Sequence, residues 1–227
     1  MTVRMSEPLS TADAASPASD ATGAFTPKTF GIGARVTLAV MSDNYVEVIL
    51  AALAAADSRD LELQTGDVST FVAGAEADLV RFLSQLIAAA GSSGAHVAAT
   101  VHFSRGCPGE VVCDLPGGAG PLRSELPDVA PTGVRAAGEW ALYPLDDMGS
   151  ATRAADHMRD IYAAIDYAKN NGTYVTSEHF VTRLEGDVAD VIATAAAGWI
   201  LVGRTVQHVT SHLTLSLNSP STSTPQN

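Results

Sequence analysis

The chain contains itself twice. Gly74 and Gly186, His96 and His208, Ser104 and Ser216, and Pro108 and Pro220 each lie 112 positions apart (74 to 186, 108 to 220). A shift held without a gap over that span marks two copies of one unit. A unit of roughly a hundred residues has the size of a small domain and is too long for a solenoid repeat.

The pattern within a copy gives its content. Ala34–Met41 alternates apolar residues at period two (Val36, Leu38, Val40), which predicts a strand. Ser42 and Asp43 offer an N-cap for a helix over Tyr45–Ala56, where Val46, Ile49, Leu50 and Leu53 fall at helical spacing. Leu61–Thr65 and Val68–Ala73 flank Gly66 and Asp67 as a hairpin. Ala75–Ala90 is a second helix with Leu79, Phe82, Leu83, Leu86 and Ile87 on one face, closed by Gly91. His96–Ser104 is the last strand.

The second copy repeats this order. Its segments are Glu139–Leu145, His157–Asn170 (ended by Asn171 and Gly172), Tyr174–Ser177, Phe180–Glu185, Val188–Val202 and His208–Leu217. Met148–Asp156 lengthens its first turn. The fold class is therefore α+β: two tandem ferredoxin-like (β-α-β-β-α-β) repeats with antiparallel sheets. The expected organisation is a disordered tail over residues 1–30 and a first repeat over 31–114. A Pro/Gly-rich linker over 115–138, a second repeat over 139–220 and a disordered tail over 221–227 complete it. Each such unit has helices on one sheet face and leaves the other bare. Two units can cover each other's bare faces, within a chain or between chains, so a homodimer is expected.

Composition narrows the function. With 13 basic and 25 acidic residues the formal charge is −12, which argues against nucleic-acid binding. Charged residues are 17% of the chain, below the roughly 25% of an average domain, so neighbours are expected to cover much of the surface. The longest uncharged apolar run, Val191–Gly203, is shorter than the ~20 residues of a spanning helix. No basic-then-apolar leader is visible at the N-terminus. Cys107 and Cys113 lack metal or redox spacing, and reduced thiols in a cytoplasmic setting are expected. No phosphate loop or dinucleotide fingerprint occurs, so no cofactor is expected.

Several blocks resemble one family. Phe103-Ser104-Arg105-Gly106-Cys107-Pro108-Gly109-Glu110 ends the first repeat with a Gly-Cys-Pro-Gly signature. Asp67-Val68-Ser69-Thr70 with Gly74, Ala141-Leu142-Tyr143-Pro144-Leu145 and Asp166-Tyr167-Ala168-Lys169 through Gly172-Thr173 accompany it. So do His179-Phe180, Leu184-Glu185-Gly186-Asp187 and Leu217-Asn218-Ser219-Pro220. Together they resemble the YkoF family of thiamine/hydroxymethylpyrimidine-binding proteins, from about Ala34 to Pro220. The resemblance implies a non-catalytic, dimeric protein that binds thiamine or hydroxymethylpyrimidine. It also implies a role in salvage or transport of thiamine precursors, with a membrane transporter component as a partner.

An aminopyrimidine needs a flat apolar or aromatic contact and a few hydroxyls or backbone groups for its edge. The candidate ligand-binding residues are Ser69, Thr70, Ser104, Gly106 and Cys107 in the first repeat. In the second they are Tyr143, His179, Thr182, Ser216 and Asn218. Thr70 and Ser104 are expected to meet the ligand edge together, with Thr182 and Ser216 as their duplicates. Tyr143 is the candidate stacking residue, and a core tyrosine is its plain alternative. The copies differ where Ala39 faces Tyr143 and Asp67 faces His179 in the alignment. His208 and His212 share a strand face but stand too far apart to chelate one ion, so no metal site is expected. The competing classes are a cofactor-free enzyme on the same fold, which would need a paired acid and base, and an effector-binding regulatory module.

Overall fold

The computed structural model describes residues 26–107, 124–145 and 157–223. The first repeat comprises β1 (Gly33–Met41), α1 (Tyr45–Ala55), β2 (Glu62–Thr65), β3 (Thr70–Ala73), α2 (Glu76–Gly91) and β4 (His96–Arg105). The second comprises β5 (Arg135–Leu145), α3 (His157–Asn170), β6 (Tyr174–Ser177), β7 (Thr182–Asp187), α4 (Val188–Val202) and β8 (His208–Leu217). These are tandem ferredoxin-like units.

They do not cover each other's sheet faces. They join edge to edge in one antiparallel eight-stranded sheet of order β2-β3-β1-β4-β8-β5-β7-β6. The join is β4 on β8, running from Val97 opposite Leu217 to Arg105 opposite Val209. At its centre Val101 faces Leu213, its own counterpart in the other repeat. A pseudo-two-fold axis therefore passes through the sheet between them. The physical reason is edge satisfaction: β4 and β8 are ten residues long, and pairing them closes two rows of amides and carbonyls at once.

All four helices lie on one face, with α1 on α2, α2 on α4 and α4 on α3. The strands alternate accordingly. Val97, Ala99, Val101, Phe103 and Arg105 of β4 are buried beneath the helices, while His96, Ala98, Thr100, His102 and Ser104 face away. One apolar core runs through both repeats. α4 is apolar nearly all round because the sheet, α2 and α3 enclose it.

A symmetric clasp locks the repeats together. Gly91 ends α2 against Leu217 of β8, and Gly203 follows α4 against Arg105 of β4. A Cβ at Gly91 would stand 2.5 Å from Leu217, and one at Gly203 would stand 2.7 Å from the Arg105 guanidinium. Gly91 is thus a helical close-approach glycine, and Ser92 takes the C-cap position assigned to it from sequence. Arg105 is fully buried, 3.4 Å from Glu76, with its guanidinium over the rings of Trp199 and Phe30. Burial pushes its guanidinium below the ordinary range, against the pull of Glu76.

Other boundaries move for local reasons. Asn44, not Ser42 or Asp43, is the N-cap of α1, and the Ser42 hydroxyl bonds the Asn44 side chain instead of a backbone amide. Phe30 lies in the core rather than in a tail. β5 begins at Arg135, inside the segment read as linker. Just before β5, Thr132 and Gly133 are strapped down by Asp187, the N-cap of α4. Its carboxylate accepts from the amides of Thr132, Gly133 and Ala189 at 3.0, 2.7 and 2.8 Å. Burial alone would raise the Asp187 carboxyl, but these bonds and the Thr132 hydroxyl outweigh it and hold it below its usual range. Cys113 and Met148–Asp156 lie outside the described residues.

The two halves of the core are filled differently. By register Trp140 stands where the first repeat has Val36, and the 112-residue shift places Gly198 and Ser211 on Leu86 and Ala99. The Trp140 indole lies over Gly198 and donates to the Ser211 hydroxyl at 2.8 Å. A Cβ at Gly198 would stand 2.4 Å from the ring, which has no flexible end to yield. Gly198→Ala is therefore expected to lower stability by about 1–3 kcal/mol through overpacking. Gly186→Ala, whose Cβ would meet ordinary contacts at 3.6 Å, should stay within about 0.5 kcal/mol. Urea unfolding midpoints of the two variants decide this.

Candidate functional site

The chemistry-bearing residues fall into two places. The first is a cavity of about 150 Å³ in the first repeat, between β1, the β2–β3 hairpin, α1 and α2. Val36, Leu38, Ile49, Leu53 and Leu86 make its apolar wall. Thr65 and Thr70, directly opposite across the hairpin, add a hydroxyl pair 3.1 Å apart. Asp67 and Ser69 stand at its mouth on the hairpin turn. The Thr37 hydroxyl donates to the Val68 carbonyl at 3.1 Å and ties that turn down. An apolar slot with one hydroxyl pair can hold a flat ring and bond one polar edge of it.

The second place is the uncovered sheet face. It carries Ser104, Tyr143 and Ser216, together with four imidazoles, His96, His102, His208 and His212. The Ser216 hydroxyl lies 3.1 Å from His96 Nε2, bridging the repeats. His102 and His212 face each other across the β4–β8 seam, with ring centroids 6.4 Å apart.

The structure brings Ser69 and Thr70 together. It does not bring Thr70 to Ser104: Thr70 pairs with Val36 and points to the helices, whereas Ser104 pairs with Gly33 and points away. Thr182 and Ser216 are divided in the same way. Tyr143 is half exposed on the open face, so it neither packs in the core nor reaches a helix-side slot. His179 sits at the β6–β7 turn beside a shallow groove with Glu139, Ser177, Glu178 and Val181. Next to it Phe180 is 97% exposed with φ of 69°, a backbone region that a bulky residue seldom adopts. Gly106 serves the backbone: its φ is 80°, and its amide donates to Phe30 at 3.0 Å. Asn218 is also structural, donating to the carbonyls of Gly91 and Ala95 at 2.7 and 2.9 Å. Cys107 is half-buried just beyond β4. Among the described residues no group of three or more His, Cys, Asp or Glu side chains could hold a metal ion. No described helix is long and apolar enough to cross a membrane.

Sequence reading missed Thr65 and the apolar wall. The signal was present: Thr65 and Thr70 are equidistant from the hairpin turn and therefore opposite. Trp140 was missed as well, although an indole opposite an aliphatic residue in the aligned repeats marks it as a point of divergence.

Burial and the neighbouring His212 push His102 below its ordinary value of about 6.5. Arg35, directly opposite on β1, is a further cation on that row. The unfolded chain takes up this proton near its ordinary value, and the folded chain resists it. Stability is thus intact above that value and falls as the pH drops below it. His102→Gln is expected to flatten the decline in urea midpoint between about pH 7 and pH 5, and an unchanged slope would remove His102 as its source.

With this geometry in view, comparison with known proteins is informative. The family model described as "YKOF-related Family" matches residues 31–110 and 135–222, one stretch in each repeat. A Bacillus subtilis (strain 168) protein, "Putative HMP/thiamine-binding protein YkoF", is 31% identical over 189 residues, spanning 83% of this chain and 91% of its own length. The two matched stretches begin and end with the two halves of the sheet, and the chain belongs to the YkoF-related family.

Proposed function

We propose that the chain is a non-catalytic binding protein for thiamine or its hydroxymethylpyrimidine precursor, with the pyrimidine ring in the first-repeat cavity. The observation that carries this reading is the size and lining of that cavity. About 150 Å³ is the scale of a cavity that accepts one benzene ring. One face meets aliphatic side chains, and the Thr65–Thr70 pair can both donate and accept at the ring edge. The Asp67 carboxylate at the mouth suits a cationic thiazolium outside the slot. The relative's description as an HMP/thiamine-binding protein supports the same ligand class.

In the second repeat Ser177 and Thr182 keep the facing hydroxyls, but Trp140 replaces the aliphatic wall and His179 replaces Asp67. The first repeat is therefore the better site for the cation. The chain would act in the cytoplasm as a homodimer through its uncovered sheet face, serving precursor salvage or delivery to a membrane transporter component.

Calorimetric titration with thiamine and with hydroxymethylpyrimidine tests this reading. Saturable binding of both is expected. Thr70→Val removes a buried partner and should weaken both ligands by roughly 5- to 150-fold, for a loss of about 1–3 kcal/mol. Thr182→Val should weaken them less. Asp67→Asn should weaken thiamine while leaving the neutral pyrimidine nearly unchanged. Absence of heat with either compound at high micromolar concentration would overturn the proposal.

A further inference from the structure

Helix α1 is apolar or aromatic at every residue but Glu47, yet Ala52 is the one residue of it that is buried. Its inner side serves the core and the slot: Val48 and Leu53 pack against the core, and Ile49 lines the slot. Its outer side shows Tyr45, Val46, Leu50, Ala51 and Ala54 to solvent. Met41 at the end of β1 and Val68 at the hairpin tip join them, and the large side chains of this set are between 46% and 75% exposed. The second repeat supplies a control. The 112-residue shift sets Ala52 on Ala164 and Ala56 on Ala168, all four buried, and it sets Ala54 on Asp166. Helix α3 carries Arg159, Asp160, Asp166 and Lys169, and its exposed Asp166 and Lys169 form an ion pair. A helix at this place in the fold is therefore free to be charged outside, and α1 is not. A helix that is apolar all round is ordinarily enclosed, so the outer face of α1 calls for cover.

The rim of that face is acidic. Asp43 precedes α1, Glu47 lies one turn before Leu50 and Ala51, and Asp67 stands on the hairpin turn, all three exposed. Among the described residues none of the three has an ion-pair partner. The basic residues of the first repeat are engaged elsewhere: Lys28 with Glu62, Arg59 and Arg81 with Asp57, Arg35 with the Ser69 hydroxyl, and Arg105 inside the core. The face thus fits an apolar segment that carries a cation. Residues 1–25 hold one. Their single basic residue, Arg4, has Met1, Val3, Met5 and Leu9 around it, and no large apolar residue follows until Phe25. The described chain starts at Thr26, close to Lys28 and its partner Glu62 at the head of β2. Helix α1 is about 17 Å long, and a coil of twenty residues, the number from 6 to 25, spans about 25 Å on average.

We propose that the segment Met1–Leu9 docks on the outer face of α1, with Arg4 on Glu47 and with Val3 and Met5 against Tyr45, Val46 and Leu50. The tether raises the local concentration of the segment to the millimolar range, so a weak contact suffices to hold it there. Other occupants fit less well. A second copy packing α1 on α1 would set Asp43 and Glu47 against their own likes. An anionic lipid surface would meet the same acidic rim and be repelled. Because Ile49 and Val68 also line the slot, the docked segment borders its mouth.

Trypsin tests this on the full chain, because Arg4 is the one site it can cut within residues 1–25. Release of residues 1–4 from the native protein is followed by intact-mass spectrometry, and a synthetic peptide of residues 1–12 gives the rate for the undocked segment. Wild type is expected to be cut roughly tenfold more slowly than the peptide. Leu50→Asp and Glu47→Lys, both at exposed positions, should each bring the rate close to that of the peptide, and circular dichroism melts establish that they are folded. Ala163→Asp, at the place on α3 equivalent to Ala51, should keep the wild-type protection. A photoreactive benzoylphenylalanine in place of Leu50 should crosslink to residues 1–9 of the same chain, at the monomer mass. Wild type cut as fast as the peptide, or protection that survives both α1 substitutions, would overturn the docking. So would a crosslink from position 50 to a second copy or to another protein instead of to residues 1–9.

Discussion

The pairing of β4 with β8 is the constraint from which the rest follows. It is a match between equivalent strands of two copies, centred on Val101 and Leu213. Because it is antiparallel and symmetric, it places α2 beside α4 and merges two small cores into one. The same pairing fixes which sheet face stays open. A single ferredoxin-like unit of this length would bury a modest share of its surface and expose a long, hydrogen-bond-hungry edge. Two units joined along that edge gain a continuous core, and helix α4 can be apolar on nearly every side. The glycine clasps at Gly91 and Gly203 are consequences of that closeness, since the helix ends must approach strand ends of the opposite repeat.

Within this symmetric frame the fillings have diverged in groups. Trp140, Gly198 and Ser211 change together relative to Val36, Leu86 and Ala99. The indole needs the space released by glycine, and its N–H needs the serine hydroxyl once it is buried. The register positions of the hydroxyl pair, Thr65 opposite Thr70 and Ser177 opposite Thr182, are kept in both repeats, while the residues around them differ.

Much of the fold was legible in the sequence, and the reasons are specific. The 112-residue shift announced the duplication, and α3, α4, β6 and β8 run between the residues their periodicity predicts. The caps were harder, because Ser42 spends its hydroxyl on Asn44 and Gly91 is glycine for the sake of Leu217, a residue over a hundred positions away. β5 began early because Arg135–Gly138 alternates weakly, with alanine and glycine where packing against α4 leaves little room. For the site, the residue types were legible but the faces were not combined. Alternation in β4 sets Ser104 with His102 and Thr100, on the polar side. In β3 the pattern is inverted, since Thr70 lies under the helices and Phe71 faces out. A polar residue on the buried side of a strand is the stronger functional signal, because its hydroxyl must find a partner there.

The slot and the open face are distinct surfaces, yet they are not independent. The slot lies at the outer margin of the first repeat, and the open face is centred on the pseudo-axis. Arg35 belongs to both, pointing out from β1 while donating to Ser69 at the mouth of the slot. The hairpin turn that bears Ser69 and Asp67 is otherwise held by the bond from Thr37 to Val68, also from the open side of β1. A partner on the outward side of β1 would therefore meet the same two side chains that hold the turn at the slot's mouth.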